Sequence, residues 1–329
     1  MPAVEVLDEH YFAITALVTV AFQVIGFVIA FACQFDKITD FSGATNFVLL
    51  AVLTLVLGGE YHPRQIIVTA SLLLSRFWLG GFLLYRVTCL RGKDGRFDEM
   101  RSRCCAFFGF WVFQMLWVWL VSLPVVFVNS RPVQPPLEAL DWVGVAVYGL
   151  GLIFEVGGDA QKLVFKQSPD SRGRHPSGGL YCCMRHPNYT GEMLLWWGTF
   201  IMAAPTFGAD PVGWVSILSP VFTMLILLFL SGMPSAEGAA QTKYMKTPAL
   251  ADEYASYRDR TSPIVPVPPA CYGALPRVVK QVFCCEFPMY ELPADTVTDD
   301  SDAETSAAMR GHGGTPAHHS EGAAYQSEA

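Results

Sequence analysis

The sequence is poor in charge. Asp, Glu, Lys and Arg make up 16% of its 329 residues against 52% hydrophobic, and the mean hydropathy is +0.34. Soluble domains carry about 25% charged residues, so this composition excludes an ordinary soluble enzyme and points to the membrane class. A basic surplus is also missing. The net charge of −7 belongs entirely to residues 291–329, which hold eight acids (Glu291, Asp295, Asp299, Asp300, Asp302, Glu304, Glu321, Glu328) and one base, Arg310. Subtracting these from 22 Lys+Arg and 29 Asp+Glu leaves 21 of each in residues 1–290. A balanced core offers no electrostatic footprint for nucleic acid, and none is expected as a partner. There is no CxxC pair, no HExxH and no internal repeat. Cys183 and His186 have the spacing of two metal ligands but lack two further partners, so no metal is expected. No basic stretch precedes the first apolar run, which exceeds the 7–15 residues of a signal-peptide core and reads as a retained helix.

What the chain does have is long apolar runs. Residues 11–35 and 104–130 are free of charge and long enough to cross about 30 Å of hydrocarbon. Shorter or polar-interrupted runs follow at 41–59, 66–87, 142–164, 191–204 and 214–232. The expected fold is therefore all-α: a polytopic membrane helix bundle of about seven transmembrane helices. Lys and Arg concentrate in 86–103, in 162–185 and after Gly232. The positive-inside rule makes these regions cytosolic and puts the N-terminus on the opposite, lumenal side. All nine cysteines then fall in the membrane or on the reducing side, so no disulfide framework is expected. Residues 1–290 read as one transmembrane domain. Residues 291–329, rich in Ala, Gly, Ser, Thr and acids, read as a disordered acidic tail.

Three blocks carry possible chemistry. In the fifth apolar run Glu155, Asp159, Lys162 and Lys166 stand at spacings that fall within about 60° of one helix face. They form a polar stripe running from a buried acid to a basic mouth. One reading is a set of ion pairs tying helices together, with Arg76 as a partner; the other is a wet pocket whose lysines meet phosphate. The second block runs from Gly178 to Glu192. In it Pro187 can start a helix, and Arg185 brings donors suited to phosphate beside His186. Asn188 offers an amide, Tyr189 a ring face, and Glu192 lies one turn from Trp196. The third follows Gly232 and carries Lys243, Tyr244, Tyr254 and Tyr257 on a basic amphipathic stretch, either an interfacial helix or a lid over a cofactor.

Taken together, the motifs Gly158-Asp-Ala-Gln-Lys-Leu-Val-Phe-Lys166, Met184-Arg-His-Pro-Asn-Tyr-Thr-Gly-Glu192, Leu194-Leu-Trp-Trp-Gly198 and Leu230-Ser-Gly-Met-Pro-Ser-Ala-Glu237 resemble membrane reductases with a steroid 5-alpha-reductase C-terminal domain. The resemblance is strongest over 142–266, and Arg76-Phe-Trp and Gly95-Arg-Phe-Asp extend it. It implies a nicotinamide cofactor, NADPH, bound from the cytosol. By the same resemblance Glu155, Asp159, Lys162 and Lys166 line the cofactor channel. Asn188, Tyr189 and Glu192 fall on a second cofactor segment, next to the cofactor-binding candidates Arg185 and His186, and Lys243, Tyr244, Tyr254 and Tyr257 fall on a third, C-terminal cytosolic segment. Characterised relatives polarise the substrate carbonyl with a Glu and a Tyr from N-terminal helices, for which Glu60 and Tyr85 are the candidates here. Met184 stands where that branch has Ser, and Gly238-Ala-Ala follows Glu237 where it favours lysines.

The implied function is NADPH-dependent reduction of an activated C=C bond in a steroid-, sterol- or isoprenoid-like lipid drawn from the bilayer, in the endoplasmic reticulum. Isoprenylcysteine methyltransferases, which are distantly related, also use an Arg-His-Pro-x-Tyr block, there to hold S-adenosylmethionine. That gives a second reading. A non-catalytic lipid-binding protein is the third.

Overall fold

A computed structural model describes residues 6–34, 39–91, 100, 102–171, 173–245 and 248–292. The Gly95-Arg-Phe-Asp stretch and the expected tail from residue 293 onward lie outside the described residues. Among the described residues eleven α-helices follow in order: α1 (Phe12–Ala32), α2 (Thr39–Gly58), α3 (Pro63–Tyr85), α4 (Cys104–Ser130), α5 (Ala139–Gln167), α6 (Pro187–Ala203), α7 (Leu218–Leu225), α8 (Met233–Met245), α9 (Pro248–Arg260), α10 (Pro269–Ala274) and α11 (Arg277–Cys284). No β-strand occurs among the described residues, so the all-α, polytopic expectation holds.

Among the described residues six stretches are long and apolar enough to cross a membrane: Phe12–Ala32, Phe41–Gly58, Pro63–Tyr85, Cys104–Ser130, Ala139–Gln167 and Pro211–Met245. The remaining expected span, 191–204, lies in α6. That helix has 17 residues and at 1.5 Å per residue covers only about 26 Å, short of the hydrocarbon thickness. It is buried along most of its length, which explains an apolar sequence in a helix too short to need lipid.

The chain divides into two compact units. The first comprises Met1–Val156 and Gly191–Leu225, and the second Gly157–Thr190 and Ile226–Ala329. In the first, α4 is the centre and packs against α1, α2, α3 and α7. Phe47, Leu50, Val68, Leu72, Val118 and Val121 fill the space between them. Buried polar side chains pin these apolar helices. Asn129 of α4 donates to Ala51 O, Thr54 Oγ1 and Thr69 Oγ1 at 3.0–3.2 Å. The start of α3 is fixed by Pro63 at its first turn, by a reciprocal His62–Gln65 cap, and by Arg64, whose Nε and Nη2 donate to Asp141 at 2.6 and 2.8 Å. The α5 and α6 segments of this unit approach to backbone contact at glycine. A Cβ on Gly198 would stand 2.6 Å from Tyr148 N and 2.8 Å from Gly144 O.

In the second unit α8 packs on α9, and α9 on α10. The chain after α9 runs back along the turn before α6. Arg185 N donates to Ser262 O at 2.8 Å, His186 N to Pro263 O at 2.9 Å, and Thr190 Oγ1 to Ile264 O. Tyr290 OH donates to Leu228 O and Gln241 Nε2 to Tyr290 O, which fastens the end of the described chain to the segments around α8.

Candidate functional site

The second unit gathers most of the residues singled out by sequence. At its centre is Arg185, 5% exposed. Its Nε donates to Glu237 Oε1 at 2.9 Å, its Nη1 to the carbonyls of Arg258 and Thr261 at 3.1 and 2.9 Å, and its Nη2 to Glu286 Oε1 at 2.7 Å. His186 Nε2 lies 2.7 Å from the same Glu237 Oε1. Arg258 completes the cluster, 3.4 Å from Glu237 and 3.8 Å from Glu286. Two guanidiniums thus face two carboxylates, which is how a buried charge is made tolerable. The donors that the sequence offers to phosphate have acceptors within the protein. Burial is the largest influence on His186 and holds it below the ordinary histidine range; Lys162 and Arg185 add to this, while Glu237 opposes it.

The polar stripe is graded along α5. Glu155 and Asp159 are buried, Lys162 is half-buried and Lys166 is exposed. Asp159 also lies within electrostatic reach of Tyr181, whose hydroxyl is pushed up mainly by burial. Tyr181 OH donates to Gly158 O at 3.1 Å. Half-buried Tyr189 lies parallel to the His186 ring, centroids 5.3 Å apart, on the first turn of α6, where Asn188 is also half-buried.

Around His175 an aromatic cluster forms. The rings of Tyr244, Tyr254 and Tyr257 lie 5.7, 5.2 and 4.4 Å from its own, and Tyr257 OH donates to Tyr181 O at 2.8 Å. Desolvation holds His175 below its usual value, so it is neutral at pH 7. Lys243 is exposed, its Nζ 5.8 Å from the Tyr244 ring centre. Beside this cluster a cleft of about 260 Å³ is lined by His175, Ser177, Cys182, Glu253, Tyr257 and Arg260. Small-molecule pockets run to about 300–1,000 Å³, so the cleft lies just below the small end of that range.

The remaining candidates belong to the first unit. Glu192 accepts both terminal nitrogens of Arg76 at 3.1 and 2.8 Å, and Trp196 Nε1 at 2.8 Å. Arg76 is also within electrostatic reach of Glu155. Glu60 and Tyr85 are both exposed and flank α3 at opposite ends, about 34 Å of helix apart. The structure does not bring them together on one carbonyl.

Sequence reasoning missed His175, Tyr181, Tyr272 and Glu286. Glu286, which also accepts from Tyr272 OH at 2.6 Å, carried no signal, since it lies beyond every motif block. His175 and Tyr181 stand within the basic and glycine-rich turns that were singled out, but nothing in their spacing points to an aromatic cluster.

Helix count, apolar length and buried ion pairs define a multi-pass integral membrane protein. Residues 26–261, well over half of the chain, match the family described as "Protein of unknown function (DUF1295)", and the chain belongs to it. The family comprises membrane proteins related to steroid 5-alpha-reductase. The chain is also similar to a protein of Ustilaginoidea virens named "Probable O-methyltransferase ustE", at 38% identity over 47 residues, which is 14% of this chain and 16% of that protein. It thus spans about one sixth of that relative's length. No solved structure matches the chain.

Proposed function

We propose that this protein is a membrane-embedded reductase that uses NADPH to reduce an activated C=C bond in a steroid-, sterol- or isoprenoid-like lipid. The observation that carries this reading is the charge arrangement around His186. The cluster of Arg185, Arg258, Glu237 and Glu286 is balanced within itself, and His186 is neutral, yet Lys162 stands close enough to act on His186. Lys162 and Lys166 stand one turn apart on the same face of α5, a spacing at which two ammonium groups can meet one phosphate. The family's relation to steroid 5-alpha-reductase supports the same reading.

NADPH, when bound, supplies a hydride. The chain's own part is to hold and orient. Lys162 and Lys166 meet phosphate, Asn188 offers its amide, Tyr189 offers a ring face already braced on His186, and the cleft beside Tyr257 takes part of the cofactor. The Arg185 cluster does not touch the cofactor but fixes the backbone from which Asn188 and Tyr189 project. The cofactor side is cytosolic, the membrane is the endoplasmic reticulum, and the bilayer supplies the substrate.

One observation favours a second reading, an S-adenosylmethionine-dependent methyltransferase. The donors of Arg185 are committed to protein acceptors, which removes one cation from those a diphosphate needs, and a sulfonium cofactor needs none. The similarity to an O-methyltransferase-named protein points the same way.

The two readings separate by ligand binding. In a thermal-shift assay on detergent-purified protein, NADPH should raise the midpoint by mass action, and Lys162→Ala/Lys166→Ala should abolish that rise. Stabilisation by S-adenosylmethionine alone, retained by the double variant, would overturn the reductase in favour of the methyltransferase.

A further inference from the structure

Helix α11 is built inside out. Its sequence Arg-Val-Val-Lys-Gln-Val-Phe-Cys puts Val278, Val282 and Phe283 within an arc of about 140°. A soluble helix turns such a face inward, yet here Val278, Val282 and Phe283 are 67%, 63% and 70% exposed. The opposite face meets the protein: Cys284 is buried, and Lys280 Nζ donates to Asp259 O and lies 4.4 Å from the Tyr272 ring centre. An apolar face of this kind left to water is an aggregation liability.

What lies next to it identifies the cover. The chain leaving α11 places Phe287 against Phe229, ring centres 5.1 Å apart, and Tyr290 OH on Leu228 O. Phe229 and Leu230 belong to the apolar stretch Pro211–Met245, which is long enough to cross the membrane, and they point outward, 44% and 59% exposed. Phe287 follows Phe283 by four residues, so the exposed face of α11 begins no more than about 14 Å of chain from the ring that lies against that outward-facing stretch. Met289, 51% exposed, is a further outward-facing apolar side chain on the segment that follows α11.

We propose that α11 is an interfacial anchor, lying in the plane of the bilayer with Val278, Val282 and Phe283 at the boundary of headgroups and acyl chains. Its length and its sharp division between faces suit that position, which a spanning helix could not take. The anchor bears on the site because Cys285, in the left-handed conformation at φ 57°, ends the helix, and Glu286 follows directly onto Arg185. A helix fixed at the membrane surface thereby fixes the carboxylate that holds the Arg-His-Pro turn. This inference goes beyond the cofactor reading and does not depend on it.

The test uses the full chain in phosphatidylcholine nanodiscs, with a fluorescent amino acid placed during translation at position 283, at 278 in a second preparation, and at the exposed position 277 as reference. Nitroxides attached to lipid near the headgroup should quench positions 283 and 278 several-fold more than 277, and aqueous iodide should show the reverse order. If position 283 does not tolerate the label, position 278 alone decides. Iodide quenching at 283 or 278 equal to that at 277 would overturn the anchor. Protection from both quenchers would overturn it too, since protein rather than lipid would then cover the face.

Discussion

Arg185, singled out in the sequence for donors suited to phosphate, directs those donors at acceptors of the protein itself. Arg-His-Pro draws attention because a guanidinium and an imidazole stand side by side before a helix start. Their acceptors lie 52 and 101 residues away, at Glu237 and Glu286, distances no local pattern reports. The two carboxylates are not equivalent. Glu237 is fully buried and serves Arg185, Arg258 and His186, whereas the Glu286 side chain is 21% exposed. Removing one partner of a buried pair leaves an uncompensated charge and costs about 3–5 kcal/mol, so Glu237→Gln should destabilise by that amount. Glu286→Gln keeps an acceptor for Arg185 and should cost less, about 1.5–3 kcal/mol for a charged hydrogen bond. Thermal midpoints in detergent should therefore rank Glu237→Gln lowest, Glu286→Gln next and the unsubstituted protein highest. Equal midpoints for the two variants would contradict the cluster as described.

At the scale of the element, the spanning helices were legible because lipid imposes one requirement on all of them, about 20 apolar residues in a row. The stretch at 104–130 has that length without a charge, and α4 occupies those bounds. The start of α6 was legible as well, since Pro187 has a fixed φ and no N–H to satisfy. Its role was not. An apolar window cannot tell a helix solvated by lipid from a short one enclosed by protein, and α6 is the second kind. What marks it instead is glycine spacing: Gly144 and Gly151 on α5 and Gly191 and Gly198 on α6 recur every seven residues, and each has backbone of the facing helix against its missing side chain. Backbone atoms cannot swing aside as a flexible side chain can. Gly198→Ala should thus push the helices apart and cost about 1–3 kcal/mol, as overpacking does. Gly208→Ala, at a position with nothing near its added methyl, should leave the melting midpoint where it was. A Gly198→Ala protein that melts with the Gly208→Ala control would mean that the seam is looser than described.

For the whole molecule, the family match and the folded structure end at different places. The match stops at residue 261, where α9 has just closed, and the motifs that gave the sequence its resemblance stop by 266. The second unit continues to the end of the described chain. Ser262 and Pro263 supply the carbonyls that hold the Arg185 and His186 amides, Glu286 holds the Arg185 guanidinium, and Tyr290 is fastened to Leu228 and Gln241. Such contacts are invisible to a reading by motif, because each uses a backbone group or a lone polar residue that any sequence contains. They also make a prediction about length. A chain ending after residue 292 keeps every one of them and discards most of the negative charge, so its melting midpoint should match that of the full chain. A chain ending after 261 retains all the family-matched residues but leaves the Arg185 and His186 amides and the Arg185 Nη2 without their acceptors. Buried groups orphaned in this way cost about 1–3 kcal/mol each, and more where charged, so their sum is a large part of the 5–15 kcal/mol that holds a typical fold together. That shorter chain should fail to give a monodisperse species in detergent. If it instead eluted as a single peak and melted with the full chain, the strap would be an accessory, and the site would be complete within the family-matched residues.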